Sequence, residues 1–315
     1  MSKFSALRSL IESPELTFLM EAHNGLSAKI TEEAGFAGIW ASGLTISASL
    51  GLRDSNEASW SQVLDVVEFI NDATTLPVLL DGDTGYGNFN TFRLLVRKLC
   101  RHGIAGVCIE DKVFPKANSF IDKAQELVRP DEFAGKIRAA RDTQTNDDFV
   151  LVARTEALIC GESVSSALRR ADQYAAAGAD AILIHSKKPT AVEVLEFARL
   201  WSGEKPLIIV PTKYPDTPTD LFRDAGISTV IWANHNLRAS ITAMRDVSRR
   251  IHAMQSLHGV EGRIAGVDDI FQLVDNAELE AAENIYLPRA SGGRNDEAAA
   301  VRDISVQAVD ERGVV

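Results

Sequence analysis

The chain has 315 residues, of which 45% are hydrophobic, 24% charged and 7% aromatic, as in ordinary globular proteins. Lys and Arg number 33 against 44 Asp and Glu, and the formal net charge of −11 repels nucleic acids and anionic lipid surfaces. No run approaches the ~20 apolar residues of a membrane span, and the first apolar run is too short for a signal peptide, so we expect a cytoplasmic protein.

Short apolar segments alternate with amphipathic ones along the chain. The apolar segments predict buried strands at 17–20, 38–41, 77–81, 106–110, 149–155, 181–185, 206–210 and 229–233. The segments between them predict helices at 28–34, 60–71, 90–102, 130–143, 164–177, 191–201, 219–225 and 238–254. Eight consecutive strand–helix units predict a (β/α)8 barrel of the TIM type. A doubly wound open sheet is the alternative, and the absence of a GxGxxG motif disfavours it.

Domain organisation follows from where this alternation ends. We expect residues 1–290 to form the barrel domain, because the apolar periodicity fades after that point. Residues 291–315 are polar and predict a flexible C-terminal tail. Two connections, 42–59 and 111–127, exceed ordinary length and predict loops that bind or cover a ligand.

Polar side chains follow most of the predicted strands. In a barrel, the carboxyl ends of the strands meet at one mouth, where active sites lie. The residues at these ends are Glu21, His23, Ser42, Asp81, Asp83, Glu110, Asp111, Arg154, Glu156, His185, Thr212, Lys213, Asn234 and His235. Simple polar capping explains one such strand end taken alone, but it does not explain why so many of them converge on one mouth.

Three of these residues predict a metal site. Asp81 and Asp83 are two positions apart on one predicted strand, ~6.6 Å along it, and Glu110 ends the next strand ~4.8 Å away. Carboxylates this close raise one another's pKa unless a divalent cation lies between them. Oxygen ligands favour Mg²⁺, or Mn²⁺, over Zn²⁺. The alternative is an aspartate that pairs with an arginine or caps a helix.

Cationic and donor groups at the same mouth predict a pocket for a small anionic oxyacid. Arg154 can bind a carboxylate or phosphoryl group through two hydrogen bonds, unless it serves only as a structural partner of Glu156. The backbone N–H groups of residues 42–44 can form an anion-binding nest. His185 can hold or protonate an anionic oxygen.

Several motifs carry a resemblance to a known family. They are EAHNGLSA (21–28), RDSNEASW (53–60), DGDTGYGNFN (81–90), EDK (110–112), FPKANS (114–119), HSKK (185–188) and IWANHNLR (231–238). From about residue 16 to residue 287, the chain resembles the phosphoenolpyruvate mutases of the isocitrate lyase/phosphoenolpyruvate mutase superfamily.

The resemblance implies a role for each matching residue. Asp81 would bind Mg²⁺ directly, and Asp83 and Glu110 would bind it through waters. The substrate-binding residues would be Trp40, Ser42, Gly43, Leu44 and Ser119. The catalytic residues would be Asp54, Lys116, Asn118, Arg154 and His185. Residues 111–127, here called the gating loop, would close over the phosphoryl group. The family also implies a homotetramer whose subunits exchange the last barrel helix.

The implied reaction interconverts phosphoenolpyruvate and phosphonopyruvate, the P–C bond-forming step of phosphonate biosynthesis. The carbon–carbon lyases of the superfamily carry a catalytic cysteine in the gating loop, and residues 111–120 contain none. Phosphonopyruvate hydrolases, which release pyruvate and phosphate, typically carry threonine where this chain has Asn118. That residue favours a mutase, and a hydrolase is the alternative. A non-catalytic barrel would be expected to lose its charged mouth.

Overall fold

A closed barrel of eight parallel strands organises the chain, whose computed structural model describes residues 1–120 and 125–287. The strands are β1 (Thr17–Ala22), β2 (Gly38–Ala41), β3 (Val78–Asp81), β4 (Gly106–Glu110), β5 (Val150–Thr155), β6 (Ala181–Ile184), β7 (Leu207–Ile209) and β8 (Thr229–Trp232). Each strand pairs with the next, and β8 closes on β1, so the predicted (β/α)8 barrel is confirmed. The register sets Asp81 beside Cys108 and Glu110 beside Arg154.

Helices connect the strands and cover the barrel. In the described part of the chain they are α1 (Lys3–Ile11), α2 (Gly25–Glu33), α3 (Gly43–Ser49), α4 (Trp60–Asp72), α5 (Phe89–Arg101), α6 (Pro130–Arg141), α7 (Val164–Ala176), α8 (Val192–Leu200), α9 (Thr219–Asp224), α10 (His235–Met254), α11 (Val267–Leu273) and α12 (Asn276–Tyr286). The eight predicted helices are all present. Helix α3 lies inside 42–59, so the prediction of that whole segment as a loop is wrong.

The core has two layers, which follow from the alternation of side chains along each strand. The inward side chains form one cluster inside the barrel, made by Leu19, Trp40, Leu79, Cys108, Val152, Leu183, Ile208 and Ile231. Leu7 and Ile11 of α1 belong to the same cluster and are buried. Because Leu7 approaches Gly106 at the start of β4, α1 closes the amino-terminal end of the barrel and leaves the other end for the site.

The chain divides after Gln255 into two compact units. Met1–Gln255 holds the barrel, and the second unit contributes α11 and α12 in its described part. The predicted domain 1–290 spans both units, and the predicted tail 291–315 lies outside the described residues. Among the helices of the described ranges, none combines the length and the apolar character that crossing a membrane requires.

Candidate active site

A cavity opens at the carboxyl ends of the strands. The predicted site residues that line it are Trp40, Ser42, Leu44, Asp54, Asp81, Lys116, Asn118, Ser119, Arg154 and His185. Gly43 and Asp83 adjoin it, since their backbone N–H groups donate to the Asp81 carboxylate at 3.2 and 3.3 Å. Glu110 lies 3.4 Å from Arg154. The structure therefore brings the predicted site residues together at one mouth.

Asp83 reaches the site from a turn rather than from a strand. Strand β3 ends at Asp81, and Asp83 has a φ of +50°, so the expectation that both aspartates share one face of a strand is wrong. Gly82 packs so closely against β4 that a Cβ there would lie 2.6 Å from Val107 Cγ2. The Gly82 N–H also donates to the Cys108 carbonyl at 2.8 Å, so the chain stays hydrogen-bonded to β4 as far as this glycine.

The start of α3 is held against the same carboxylates. Ser42 caps the helix by accepting a hydrogen bond from the Thr45 N–H, as serine commonly does. A Cβ on Gly43 would lie 2.8 Å from Asp83 Oδ1 and 3.3 Å from Asp81 Oδ2, so only glycine allows this approach. An anion nest was predicted from the N–H groups of residues 42–44, in which they bind a ligand. In the structure, the Gly43 N–H instead donates to the Asp81 carboxylate.

Gating-loop residues reach across the cavity to acidic side chains. Lys116 Nζ lies 2.8 Å from Asp54 Oδ1 and 2.5 Å from Asp83 Oδ1. Asn118 Nδ2 donates to Asp54 Oδ2 at 2.5 Å. Burial opposes the ionisation of Asp54, but the Lys116 charge and the hydrogen bonds from Lys116 and Asn118 hold its pKa below the usual value. For Asp83, burial and the neighbouring aspartates outweigh Lys116 and raise the pKa to about 7.

Arg154 is fixed by a carboxylate and faces the cavity. Its Nε donates to Glu156 Oε1 at 2.5 Å, and its Nη2 donates to Ser119 Oγ at 3.1 Å. The structural Arg154–Glu156 pair therefore exists, yet Arg154 also lines the cavity. Burial opposes ionisation of Glu156, but Arg154, His185 and Lys112 outweigh it and hold its pKa well below the usual value.

The surroundings of His185 disfavour its cationic form. Burial and the Arg154 charge together lower its pKa below 6.5. Its Nδ1 lies 2.8 Å from both Arg154 Nη2 and Glu156 Oε1, and a neutral imidazole hydrogen-bonds to only one of them through this atom. Its Nε2 is buried without a hydrogen-bond partner in the described structure, which leaves it available to a substrate oxygen.

The carboxylates have the chemistry of a magnesium site. Both Glu110 oxygens are buried and accept no hydrogen bond from the described residues, so they suit a cation or its waters. In the same residues, no three His, Cys, Asp or Glu side chains are close enough together to form a ready-made metal cluster. Lys116 and Arg154 supply positive charge among the carboxylates instead. The ligand types fit Mg²⁺, although the side chains do not form a closed set.

Some residues of the site were not singled out by the sequence as site residues. The additional cavity-lining residues are Phe120, Val210, Thr212, Ala233 and Asn234. Thr212 and Asn234 follow predicted strands, and that position was the available signal. Phe120 packs edge-on against His185, with Lys213 Nζ 4.7 Å from its ring centre. Only the tertiary structure reveals these contacts.

Comparison with known proteins identifies the family of the chain. The sequence model of the family described as phosphoenolpyruvate phosphomutase matches residues 7–252. The chain belongs to the phosphoenolpyruvate phosphomutase family. A phosphoenolpyruvate phosphomutase of Tetrahymena pyriformis is 54% identical over 90% of this chain and 95% of its own length. A phosphonopyruvate hydrolase of Variovorax sp. is 41% identical over 91% of this chain and 100% of its own.

Solved structures of similar proteins share the fold. The phosphoenolpyruvate phosphomutase of Streptomyces platensis subsp. rosaceus superposes with a TM-score of 0.89 and 42% identity, over 90% of this chain and 99% of that one. A phosphonopyruvate hydrolase in complex with oxalate and Mg²⁺ superposes with a TM-score of 0.87 and 39% identity, over 91% of this chain and 100% of that one. Fold similarity alone therefore does not separate mutase from hydrolase.

Proposed function

We propose that this chain is a phosphoenolpyruvate mutase of phosphonate biosynthesis, an isomerase that interconverts phosphoenolpyruvate and phosphonopyruvate. The contact of Asn118 with Asp54 is the observation that carries the proposal, because it sets an amide donor over the place where the phosphoryl group would transfer. The identities to the Tetrahymena phosphomutase and the Variovorax hydrolase, 54% and 41%, favour the same choice.

The reaction moves phosphorus within one molecule. The P–O bond of phosphoenolpyruvate breaks, its electron pair stays with the oxygen of the pyruvate enolate, and C3 of that enolate then forms the P–C bond. Lys116, Asn118 and Arg154 would hold the phosphoryl oxygens, and fixed donors of this kind stabilise transferring phosphoryl groups. His185 would hold a substrate oxygen through Nε2. Trp40, Ser42 and Leu44 would border the pyruvyl carboxylate. Ionised Asp54 would guide the phosphoryl group or accept it transiently.

We propose that Asp81, Asp83 and Glu110 hold the metal, Mg²⁺ or Mn²⁺. The buried Glu110 oxygens support this, as does the Mg²⁺ bound with oxalate in the related phosphonopyruvate hydrolase. A bound divalent ion would add positive charge next to the enolate oxygen. Gly43 and Gly82 allow a narrow cradle of carboxylates, that is, a close approach of the acidic side chains, because a Cβ on either glycine would clash with its neighbours.

We also propose a cytoplasmic homotetramer in which α10 is exchanged between subunits. Helix α10, which is fully described, has no buried residue. Large exposed apolar side chains are concentrated in and after it, at Met244, Met254, Leu257, Ile264, Val267, Ile270, Phe271, Val274, Leu279, Ile285, Tyr286 and Leu287. Apolar surface of this extent is typical of subunit contacts.

A coupled assay tests the proposed activity. The enzyme is given phosphonopyruvate, Mg²⁺, lactate dehydrogenase and NADH, with and without pyruvate kinase and ADP. A mutase makes phosphoenolpyruvate, so NADH is consumed only when pyruvate kinase and ADP are present. If NADH is consumed equally fast without pyruvate kinase and ADP, the enzyme releases pyruvate directly and is a hydrolase.

A further inference from the structure

Lys112 is a buried lysine at the base of the gating loop. Its side chain is 2% exposed, and its Nζ lies 3.0 Å from Glu156 Oε2. The same Nζ donates to Ser119 Oγ at 2.6 Å and to the Ala117 carbonyl at 3.1 Å. Glu110 Oε1 lies 3.5 Å from the same Nζ, so Lys112 forms ion pairs with two buried carboxylates and donates hydrogen bonds to two groups of the loop. Because burial of an unpaired charge is costly, these contacts are needed to keep the Lys112 side chain inside the protein.

The Ser119 hydroxyl completes the arrangement. It accepts from Lys112 Nζ and from Arg154 Nη2, and it donates to Glu156 Oε2 at 2.6 Å. One O–H donor and two lone pairs are thereby used. Ser119 thus joins the gating loop to the guanidinium that would hold the phosphoryl group.

The contacts of Lys112 flank the substrate-facing residue of the loop. Asn118 lies between Ala117 and Ser119, and Lys112 holds both neighbours. The base of the loop is anchored separately, because Lys112 bridges Leu127 in antiparallel fashion and Val128 N–H donates to the Asp111 carbonyl. The side chain of Lys112 therefore fixes the part of the loop around Asn118, whereas its backbone fixes the base.

We propose that Lys112 and Glu156 are positioning residues that hold residues 117–119 of the gating loop against the cavity by fixing the chain on both sides of Asn118. Neither is among the described residues that line the cavity, so they act through Ser119, Asn118 and Arg154. The inference rests on the proposed mutase function. A loop that opens early admits water, which converts the transferring phosphoryl group into inorganic phosphate.

The test uses Lys112→Met, which keeps the length of the side chain and removes its charge and donors. The matched control is Lys3→Met, which removes a lysine that donates to the carbonyls of Asn71 and Thr74. With phosphonopyruvate and Mg²⁺, ³¹P NMR gives the ratio of inorganic phosphate to phosphoenolpyruvate. We expect Lys112→Met to raise this ratio by about 10-fold or more and to lower kcat, and Lys3→Met to leave the ratio unchanged.

A second pair of variants tests whether the effect passes through Ser119. Ser119→Ala should raise the same ratio, and Lys112→Met/Ser119→Ala should give a ratio within about twofold of the larger single effect, because both changes remove the contact between Lys112 and Ser119. If the effects of the two single variants on the ratio multiply in the double variant, Lys112 does not act through Ser119. An unchanged ratio in Lys112→Met would overturn the inference, and where that variant does not fold, an unchanged ratio in Ser119→Ala does so. Wild-type enzyme that makes no phosphoenolpyruvate refutes the proposed function instead.

Discussion

Replacement of Asn118 by alanine should slow the transfer of the phosphoryl group. Asn118 uses one N–H to donate to Asp54 Oδ2, and its Oδ1 accepts from the Phe120 N–H at 2.9 Å. Its second amide N–H is therefore available for a phosphoryl oxygen. Loss of one donor in the transition state typically costs about 10²-fold in kcat, which corresponds to roughly 2.7 kcal/mol. We expect a fall of this size in Asn118→Ala, with a smaller change in KM.

The measurement is the initial rate of phosphoenolpyruvate formation from phosphonopyruvate, followed with pyruvate kinase and lactate dehydrogenase over a range of substrate concentrations. Asn90→Ala is the matched control, because Asn90 is exposed on α5 and its replacement removes the same amide from a helix. The control should keep wild-type kcat. A kcat for Asn118→Ala within a factor of about three of wild type would refute the assignment of Asn118 as a transition-state donor.

Three further predictions concern the metal, the histidine and the narrow cradle. Asp81→Ala should abolish measurable Mg²⁺ binding by calorimetry, and chelation should stop turnover by the wild type; activity that survives thorough EDTA treatment would contradict the metal site. His185 should titrate below pH 6.5 in ¹⁵N NMR spectra assigned with His185→Asn, because burial and Arg154 disfavour its cation. The folded state then binds fewer protons than the unfolded state below pH 6.5, so this group makes the protein less stable as the pH falls from 6.5 through its folded-state pKa; a midpoint at or above 6.5 would contradict this. Gly43→Ala should weaken Mg²⁺ binding while the circular dichroism spectrum stays that of the wild type, since the new Cβ would lie 2.8 Å from Asp83 Oδ1; unchanged affinity would show that the carboxylate moves away at no cost.

The barrel could be predicted because its signals are local. Gly35, Gly103, Gly178 and Gly226 each follow a helix and have φ values between +71° and +109°, the left-handed conformation that ends helices. The apolar run after each of these glycines forms a strand, namely β2, β4, β6 and β8. Eight such units in order then allow few arrangements other than a closed barrel.

Most residues that line the cavity could be predicted from the sequence, but their geometry could be predicted less well. Strand ends identify Asp81, Glu110 and Arg154, because position along the chain fixes them at the mouth. The turn at Asp83 depends on the packing of Gly82 against β4, a contact between distant segments that no local pattern encodes. The inward orientation of Lys112 depends on Glu156 in the same way, since lysines are mostly exposed in proteins.

The most direct test of the central claim is a ³¹P NMR time course of wild-type enzyme with phosphonopyruvate and Mg²⁺. The phosphonate resonance should be replaced by the phosphate-ester resonance of phosphoenolpyruvate, with the total of the two conserved. This follows if Lys116, Asn118 and Arg154 keep the phosphoryl group from water until it reaches the enolate oxygen. A resonance of inorganic phosphate that grows at the rate at which phosphonopyruvate disappears, without phosphoenolpyruvate, would contradict the account.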